Sequence, residues 1–409
     1  MRLPLRTAAL SAAILLAFPA GAQTNDSAPF YVGASLGTTH VSNIYRLAGG
    51  SNSDSVISAG LLGGIDTRLG RQHLTFDGSL QDNRYRDTKD LNNKSYSLRS
   101  ALEWQTIGDL SGTLSATSSR SLADFNAGSG VDPIFVKNTA RNEEYSATAR
   151  LGAFSRYSIE GGWNYRKLDY SAPQYDRFSY HQNSGSLGFF GTPGGNVKLG
   201  LSARHTTGQY PRYPTGRIIF NPVTQQIEPE TAANDYSRND IDLTANWSAG
   251  GRTGMNARLS RSHIDNSPNI ASLRNAHGTT GGIGGTWQPT AKLLLNLQYT
   301  RDTGIETKLS TSDLNRVYTT WRFTGTYALT GKISFNANAN VNRSHSDNGT
   351  NAAANYFEKN QSYGLGMRWA FTRSLSLGCQ YDHASRDSSI LAYTFSANSY
   401  GCTGQALIY

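Results

Sequence analysis

Residues 332–344 read KISFNANANVNRS, and the alternation inside them is unbroken. Ile333, Phe335, Ala337, Ala339 and Val341 share one parity; Ser334, Asn336, Asn338, Asn340 and Asn342 share the other. Successive side chains of a strand point to opposite faces, so a period of two predicts a strand with one apolar and one polar side. The pattern recurs along the chain. Leu74, Phe76 and Leu80 oppose Thr75, Asp77, Ser79 and Gln81; Tyr157, Ile159, Trp163 and Tyr165 oppose Ser158, Glu160, Asn164 and Arg166. Tyr363, Leu365, Met367 and Trp369 oppose Gly364, Gly366 and Arg368. About 18 such segments are readable, starting near residues 29, 54, 71, 93, 110, 140, 156, 176, 195, 235, 252, 273, 291, 315, 332, 356, 374 and 396. At about 12–16 residues each they are longer than typical globular strands.

The connections alternate as well. Short turns around 69–70, 108–109, 193–195, 250–251, 330–331 and 372–373 are interleaved with polar links at 40–53, 122–139, 208–234, 302–313 and 344–355. Strict short–long alternation puts every long link at one end of an up-and-down antiparallel barrel. The continuous apolar core strands or amphipathic helices expected of a soluble domain of this length are missing. The predicted fold is therefore all-β: a transmembrane antiparallel barrel of about 18 strands, one domain over residues 23–409, with short periplasmic turns and long extracellular loops. Residues 209–234 carry four of the twelve prolines and are expected to fold over or into the pore mouth.

Composition agrees. Mean hydropathy is −0.47, charged residues are only 16% and aromatics reach 11%, with 22 Tyr. Low charge with many aromatics excludes a disordered chain. Aromatics sit near segment ends (Tyr31, Tyr85, Tyr96, Trp104, Tyr157, Trp247, Trp287, Tyr299, Tyr327 and Trp369), which predicts two interfacial girdles. Net charge is +9, without any Lys/Arg run suited to nucleic acid, so no nucleic-acid partner is expected.

Arg2 and Arg6, the apolar run from Ala8 to Phe18 and Ala20-Gly21-Ala22 form the three regions of a secretory signal peptide over residues 1–22. Export and a barrel together predict the outer membrane of a Gram-negative cell, with lipid and lipopolysaccharide as surroundings. The strand pattern begins at Phe30, so no plug domain is expected ahead of it.

Parity points Arg99, Arg150, Arg166, Lys198, Arg204, Arg258, Arg322 and Arg368 into the lumen, with Asn336, Asn338 and Asn340. Asp77, Glu103, Glu144, Glu160, Asp240, Asp242 and Asp382 share that face. Two readings stay open: the guanidinium groups bind anionic groups of a passing solute, or the charges pair across neighbouring strands. A ring this wide is not filled by its own side chains. Cys379 and Cys402 are the only cysteines; in a hairpin centred between Ile390 and Leu391 they fall opposite each other. They form either a disulfide in an oxidising compartment or two thiols facing lipid. No catalytic constellation stands out, and neither a cofactor nor a metal site is indicated. No G-x-S-x-G elbow is expected, nor an H-E-x-x-H motif or Cys/His cluster at ligand spacing, and His40, His181 and His277 fall in predicted loops.

FYVGASLGTTHVSNIYRL (30–47), RQHLTFDGSLQDNRY (71–85), LEWQTIGDLSGTLSATSSRSLADF (102–125) and RNEEYSATARL (141–151) resemble the EpsL-type β-barrel porins of exosortase-associated exopolysaccharide loci. The resemblance extends over the mature chain and is strongest in its first third. It implies an outer-membrane component of exopolysaccharide secretion, with a polysaccharide substrate and inner-membrane and periplasmic export machinery as partners. It supplies no binding residues. The expectation is a passive conduit exporting polysaccharide; the alternatives are a general or sugar-selective diffusion porin and a structural or adhesive barrel.

Overall fold

The computed structural model describes residues 29–409 apart from 51, 129–130, 153–154, 222–224, 268–275, 305–315 and 347–355. The predicted signal peptide lies outside the described residues. Eighteen strands follow one another: β1 (Phe30–Val41), β2 (Asp54–Leu69), β3 (Gln72–Tyr85), β4 (Asn93–Gln105), β5 (Leu110–Leu122), β6 (Thr139–Leu151), β7 (Tyr157–Tyr170), β8 (Tyr180–Gly194) and β9 (Val197–Asn221). Then come β10 (Gln226–Ala249), β11 (Thr253–Asn266), β12 (Ala276–Thr290), β13 (Leu293–Thr303), β14 (Val317–Ala328), β15 (Ile333–Ser346), β16 (Tyr356–Ala370), β17 (Leu375–Ser388) and β18 (Phe395–Ile408). Each pairs antiparallel with its sequence neighbours. β1 also pairs with β18, from Val32↔Ile408 to Val41↔Ser399. The ring is closed, so no row of backbone groups is left at an edge.

The short ends turn tightly at Gly70, Gly250 and Gly251, whose positive φ angles (63°, 56° and 70°) a residue with a Cβ adopts at a cost. The predicted short turns lie at one end, and the connections that follow β1 and β5 leave from the other. The register rows separate two surfaces. Phe323↔Ala339↔Tyr363 is one row and Arg322↔Asn340↔Ser362, of the other parity, is the next. The first parity forms a continuous apolar outer belt, in which Leu36, Leu61, Leu187 and Leu365 are each more than 60% exposed. The second lines the inside. In β18, Tyr400, Cys402, Ala406 and Ile408 face out. Leu407 turns in, 4% exposed, against Gly33 of β1, where any Cβ would collide with Ala406 and Leu407.

Two aromatic rows border the belt. Trp104, Tyr157, Trp247, Trp287, Tyr327 and Trp369 lie outward at the short-turn end, and Tyr96 and Tyr299 towards the other. Tyr31 and Tyr85 depart from the expected girdle because their parity is the inner one; the Tyr31 hydroxyl donates to the lumenal Asp77 carboxylate at 2.9 Å. His40, His181 and His277, expected in loops, lie on β1, β8 and β12.

The largest departure concerns residues 209–234. They are not a loop: most of them extend β9 and β10, which run 25 and 24 residues and stay paired out to Asn221↔Gln226. Pro211, Pro214 and Pro229 are accommodated at register shifts near Pro229/Thr231 and Ala232/Asn234, as bulges allow. The apolar core sits at the long-loop mouth. There the inward tops of β7–β11 (Leu168, Tyr170, Tyr180, Tyr210, Tyr236 and Ile264) pack against Ile44, Leu91, Phe125, Ile134, Tyr175 and Phe178 from the connections.

Candidate functional site: the lumen and the segment folded into it

The link between β5 and β6, residues 123–138, turns into the ring. Asn126 is fully buried, and its Nδ2 donates to the Arg46 carbonyl at 2.7 Å. On the far side Arg386 of β17 donates to the Asn126 carbonyl at 3.1 Å and to its Oδ1 at 2.8 Å. Five strands (β4, β3, β2, β1 and β18) lie between β5 and β17 along the wall, so the segment spans a wide chord. Tyr175, on a short 3-10 turn between β7 and β8, donates its hydroxyl to the Asp124 carbonyl at 2.7 Å. Burial, and behind it the Asp124 carboxylate, push the Tyr175 phenol upward, so it stays a donor well beyond neutral pH. Gly128 has φ 64° and faces Glu358 and Arg386. Glu358 is in turn held by Arg316 at 2.9 Å.

The predicted lumenal cations all lie on the inner parity, but they do not behave alike. On β9–β13 they form a brace. Arg204 meets Asp240 at 3.2 Å and Asp242 at 3.4 Å; Arg258 meets Asp302 at 2.8 Å and Asp242 at 3.7 Å. At its centre Arg238, fully buried, donates to Asp240 at 2.8 Å, Ser262 at 2.9 Å and Thr303 at 2.8 Å. Buried charges persist when paired and hydrogen-bonded, and here three arginines meet three aspartates. Arg238 has the inner parity of its strand, a signal that sequence reading passed over. Arg150 pairs with Glu160 at 2.5 Å. Arg166 is buried, its guanidinium 5.7 Å from the Tyr180 ring centre, and Lys198 lies 4.3 Å from that of Phe190. Arg322 is opposite Asn340 in the register. Arg99 faces Asp77 across β3–β4, and Arg368 lies between Ser334 and Gly378; neither has an ion pair among the described residues. For Arg150, Arg204 and Arg258, cross-strand pairing is the reading the geometry supports.

The remaining wall is hydroxyl and amide. On β5, Ser111, Thr113, Ser115, Thr117, Ser119 and Ser121 occupy every inner position, and Ser115 meets Ser146 of β6 at 2.7 Å. Asn83 donates to Ser95 and Asn93. Ser35, Thr39, Ser58, Gln81, Thr403 and Gln405 enclose a cavity with Tyr85 and Phe125 beside the inward segment. On β15, Asn336 and Asn338 lie over Gly366 and Gly364 of β16; a side chain at either glycine would collide with the amides.

Cys379 and Cys402 are opposed in the β17–β18 register and form a disulfide on the outer face, with Cα atoms 4.0 Å apart. Contrary to the expectation of no G-x-S-x-G motif, residues 33–37 spell the string GASLG. It lies in the middle of β1 with Ser35 towards the lumen, not on the strand-to-helix turn that exposes a nucleophile. On the outer face His40 Nδ1 and Ser55 Oγ are 3.1 Å apart, and among the described residues no third group hydrogen-bonds the imidazole to orient it. No cluster of three or more metal-ligating side chains occurs among the described residues.

The fold and inner surface define a closed, 18-stranded up-and-down barrel with a segment folded into its mouth. No family model matches the chain, and no curated protein does. Among solved structures it is similar to OpdK of Pseudomonas aeruginosa, crystallised with vanillate, at 11% identity and TM-score 0.45 over 93% of this chain and 99% of that one. OccK2 (OpdF) of the same organism, in complex with glucuronate, aligns at 11% identity and TM-score 0.44, covering 93% and 98%. The outer membrane channel DcaP of Acinetobacter baumannii gives 12% identity and TM-score 0.44, covering 93% and 97%. The barrel assignment rests on this chain's own strand pairing.

Proposed function

We propose that this protein is a passive outer-membrane channel whose lumen suits hydrated, hydroxyl-rich solutes, with exopolysaccharide export as its role. The apolar belt between aromatic rows suits a bilayer, which only a closed sheet crosses without unsatisfied backbone groups. The observation that carries the solute class is the uncharged part of the inner wall, above all the hydroxyl track of β5 and the amide row of β15. Such groups exchange hydrogen bonds with sugar hydroxyls and with water at similar strength, so a chain slides without being trapped. The export role is supported by the sequence resemblance alone; the chain supplies no nucleotide-binding motif, so the driving force belongs to partners.

A second reading, a diffusion channel for small sugars, is favoured by the segment 123–138, which narrows the mouth. The two readings separate by experiment. A deletion strain that loses secreted polymer supports export; one that secretes normally and takes up sugars more slowly supports diffusion. In liposomes, Ser115→Val with Thr117→Val is expected to slow disaccharide entry while sparing chloride conductance. Unchanged sugar flux removes the hydroxyl track from the argument.

A further inference from the structure

The outer rim at the long-loop end carries charge in two different ways. On β3, β6 and β7 each cation has a carboxylate two residues away on its own strand: Arg84 with Asp82 at 2.8 Å, Arg141 with Glu143, and Lys167 with Asp169 at 2.9 Å. On β13–β16 the pattern breaks. Arg301, Thr319, Arg343 and Lys359 form one register row across four neighbouring strands. No outward position of those strands holds Asp or Glu among the described residues. None of the three cations has an ion pair there, and both arginines are exposed. The next carboxylate along the row, Asp387 on β17, accepts a hydrogen bond from Gln361 at 3.4 Å.

Spacing completes the arrangement. Strands lie about 4.8 Å apart, so Arg301 and Arg343, separated by one strand, have Cα atoms about 10 Å apart. Two side chains of that reach can meet on one phosphate, whose oxygens match guanidinium forks. Directly below on the same face lie Tyr299 and Trp321, ring centres 4.7 Å apart, then Leu297 and Leu365. A cationic row above an aromatic step and an apolar wall matches an amphiphile: anionic head, then acyl chains.

We propose that Arg301, Arg343 and Lys359 seat the phosphate of an outer-leaflet lipid. The inference rests on the membrane reading above and adds to it a particular position on the wall. Purified barrel in neutral detergent is titrated with phosphatidylglycerol, with zwitterionic phosphatidylcholine and with inorganic phosphate, and bound lipid is counted by native mass spectrometry. The expected result is selective retention of phosphatidylglycerol. Each of R301Q, R343Q and K359Q should lower its affinity about fivefold, the effect of one cation at an anionic surface. Arg343→Lys, which keeps the charge but not the fork, should weaken retention less than R343Q does, and R84Q and R141Q, whose cations already have carboxylates, should leave it unchanged. Equal retention of both lipids, an unaffected triple variant, or displacement of the lipid by millimolar inorganic phosphate would each overturn the seat. Planar-bilayer conductance separates this proposal from the channel reading. A triple variant that conducts normally without the lipid supports the seat. A wild-type chain that holds the lipid but never conducts overturns the channel and leaves the seat standing.

Discussion

Arg386 is the residue whose loss should most change how the mouth behaves. It is 6% exposed; its guanidinium donates to both oxygens of Asn126 and to Asn360 Oδ1 at 2.6 Å, and lies 5.2 Å from the Phe395 ring centre. Arg386→Met keeps most of the stem's apolar volume and removes every donor. Two of the lost bonds hold residues 123–138. A hydrogen bond to a charged group contributes ~1.5–3 kcal/mol, and the lower end applies because water reaches the mouth. The latch should therefore weaken by about 3 kcal/mol, which raises the population of the displaced segment roughly 100-fold. Asn126 keeps its bond to the Arg46 carbonyl, so the segment should flicker rather than be lost. Single-channel recording in planar bilayers reads this directly: brief excursions to higher conductance should become about two orders of magnitude more frequent, with heat-modified gel mobility unchanged. If excursions are no more frequent in Arg386→Met, and a variant with residues 127–134 replaced by a short Gly-Ser linker conducts like wild type, the segment does not narrow the path and the argument fails.

Three further outcomes are expected. Ala337→Arg, at the middle of the outer face of β15, should cost about 2–4 kcal/mol of insertion stability, read by urea unfolding in vesicles, whereas Asn338→Leu on the inner face should leave that midpoint almost unchanged and slow sugar flux. Cys379→Ser with Cys402→Ser should lower thermal stability by an amount in the ~2–4 kcal/mol range of a closed loop this size; wild type should migrate differently with and without reductant, and identical mobility would mean that the bond does not form. The Tyr175 phenol is raised in the fold, chiefly by burial and then by Asp124, so it contributes stability that is full below the ordinary phenol value of about 10. That contribution fades as pH rises above 10, and the Tyr175→Phe protein, which lacks the titrating proton, should show a smaller alkaline increase in channel flicker.

Strand count, register and facing were legible because a two-sided wall forces the period on every strand: a slip of one residue would turn a whole apolar row inward. Leu407 falls on the inner parity of β18, opposite to Cys402, Ala406 and Ile408, and closure against Gly33 of β1 gives this apolar side chain a place inside. The extension of β9 and β10 was hidden because four prolines read as a loop. Bulges absorb Pro211, Pro214 and Pro229, and beyond the ring a two-stranded ribbon has free edges on which a missing N–H costs little. The pairing of Arg204 and Arg258 was half visible, since Asp240 and Asp242 share their parity. Their keystone Arg238 lies inside the segment predicted to start near 235 and shares the parity of Asp240 and Asp242, so its inward direction was equally legible; what the sequence does not show is that all three meet at one point. The inward fold of residues 123–138 was not legible at all. What holds it is contact between Asn126 and residues 80 and 260 positions away, and no local pattern encodes such a contact.

Those long-range contacts solve a problem that the ring creates for itself. Eighteen strands enclose a space too wide for their own side chains to fill, so the lumen cannot serve as a hydrophobic core. Apolar side chains have two other destinations, the outer belt and the mouth. At the mouth, Phe125, Ile134 and Tyr175 from the connections meet the inward tops of β7–β11. Where charge is buried beneath that cap, it is neutralised on the spot by the Arg238–Asp240 brace and its neighbours. The rest of the inner wall is released from any duty in folding and is free to carry Ser, Thr and Asn. The three zones therefore answer to different measurements. Belt substitutions should alter insertion and leave flux per channel unchanged; inner-face substitutions on β5 or β15 should alter flux and leave stability unchanged; mouth substitutions should alter gating. A lumenal Ser→Val variant of β5 that unfolded as readily as Ala337→Arg would show that the polar wall also stabilises the barrel, and this division of labour would be wrong.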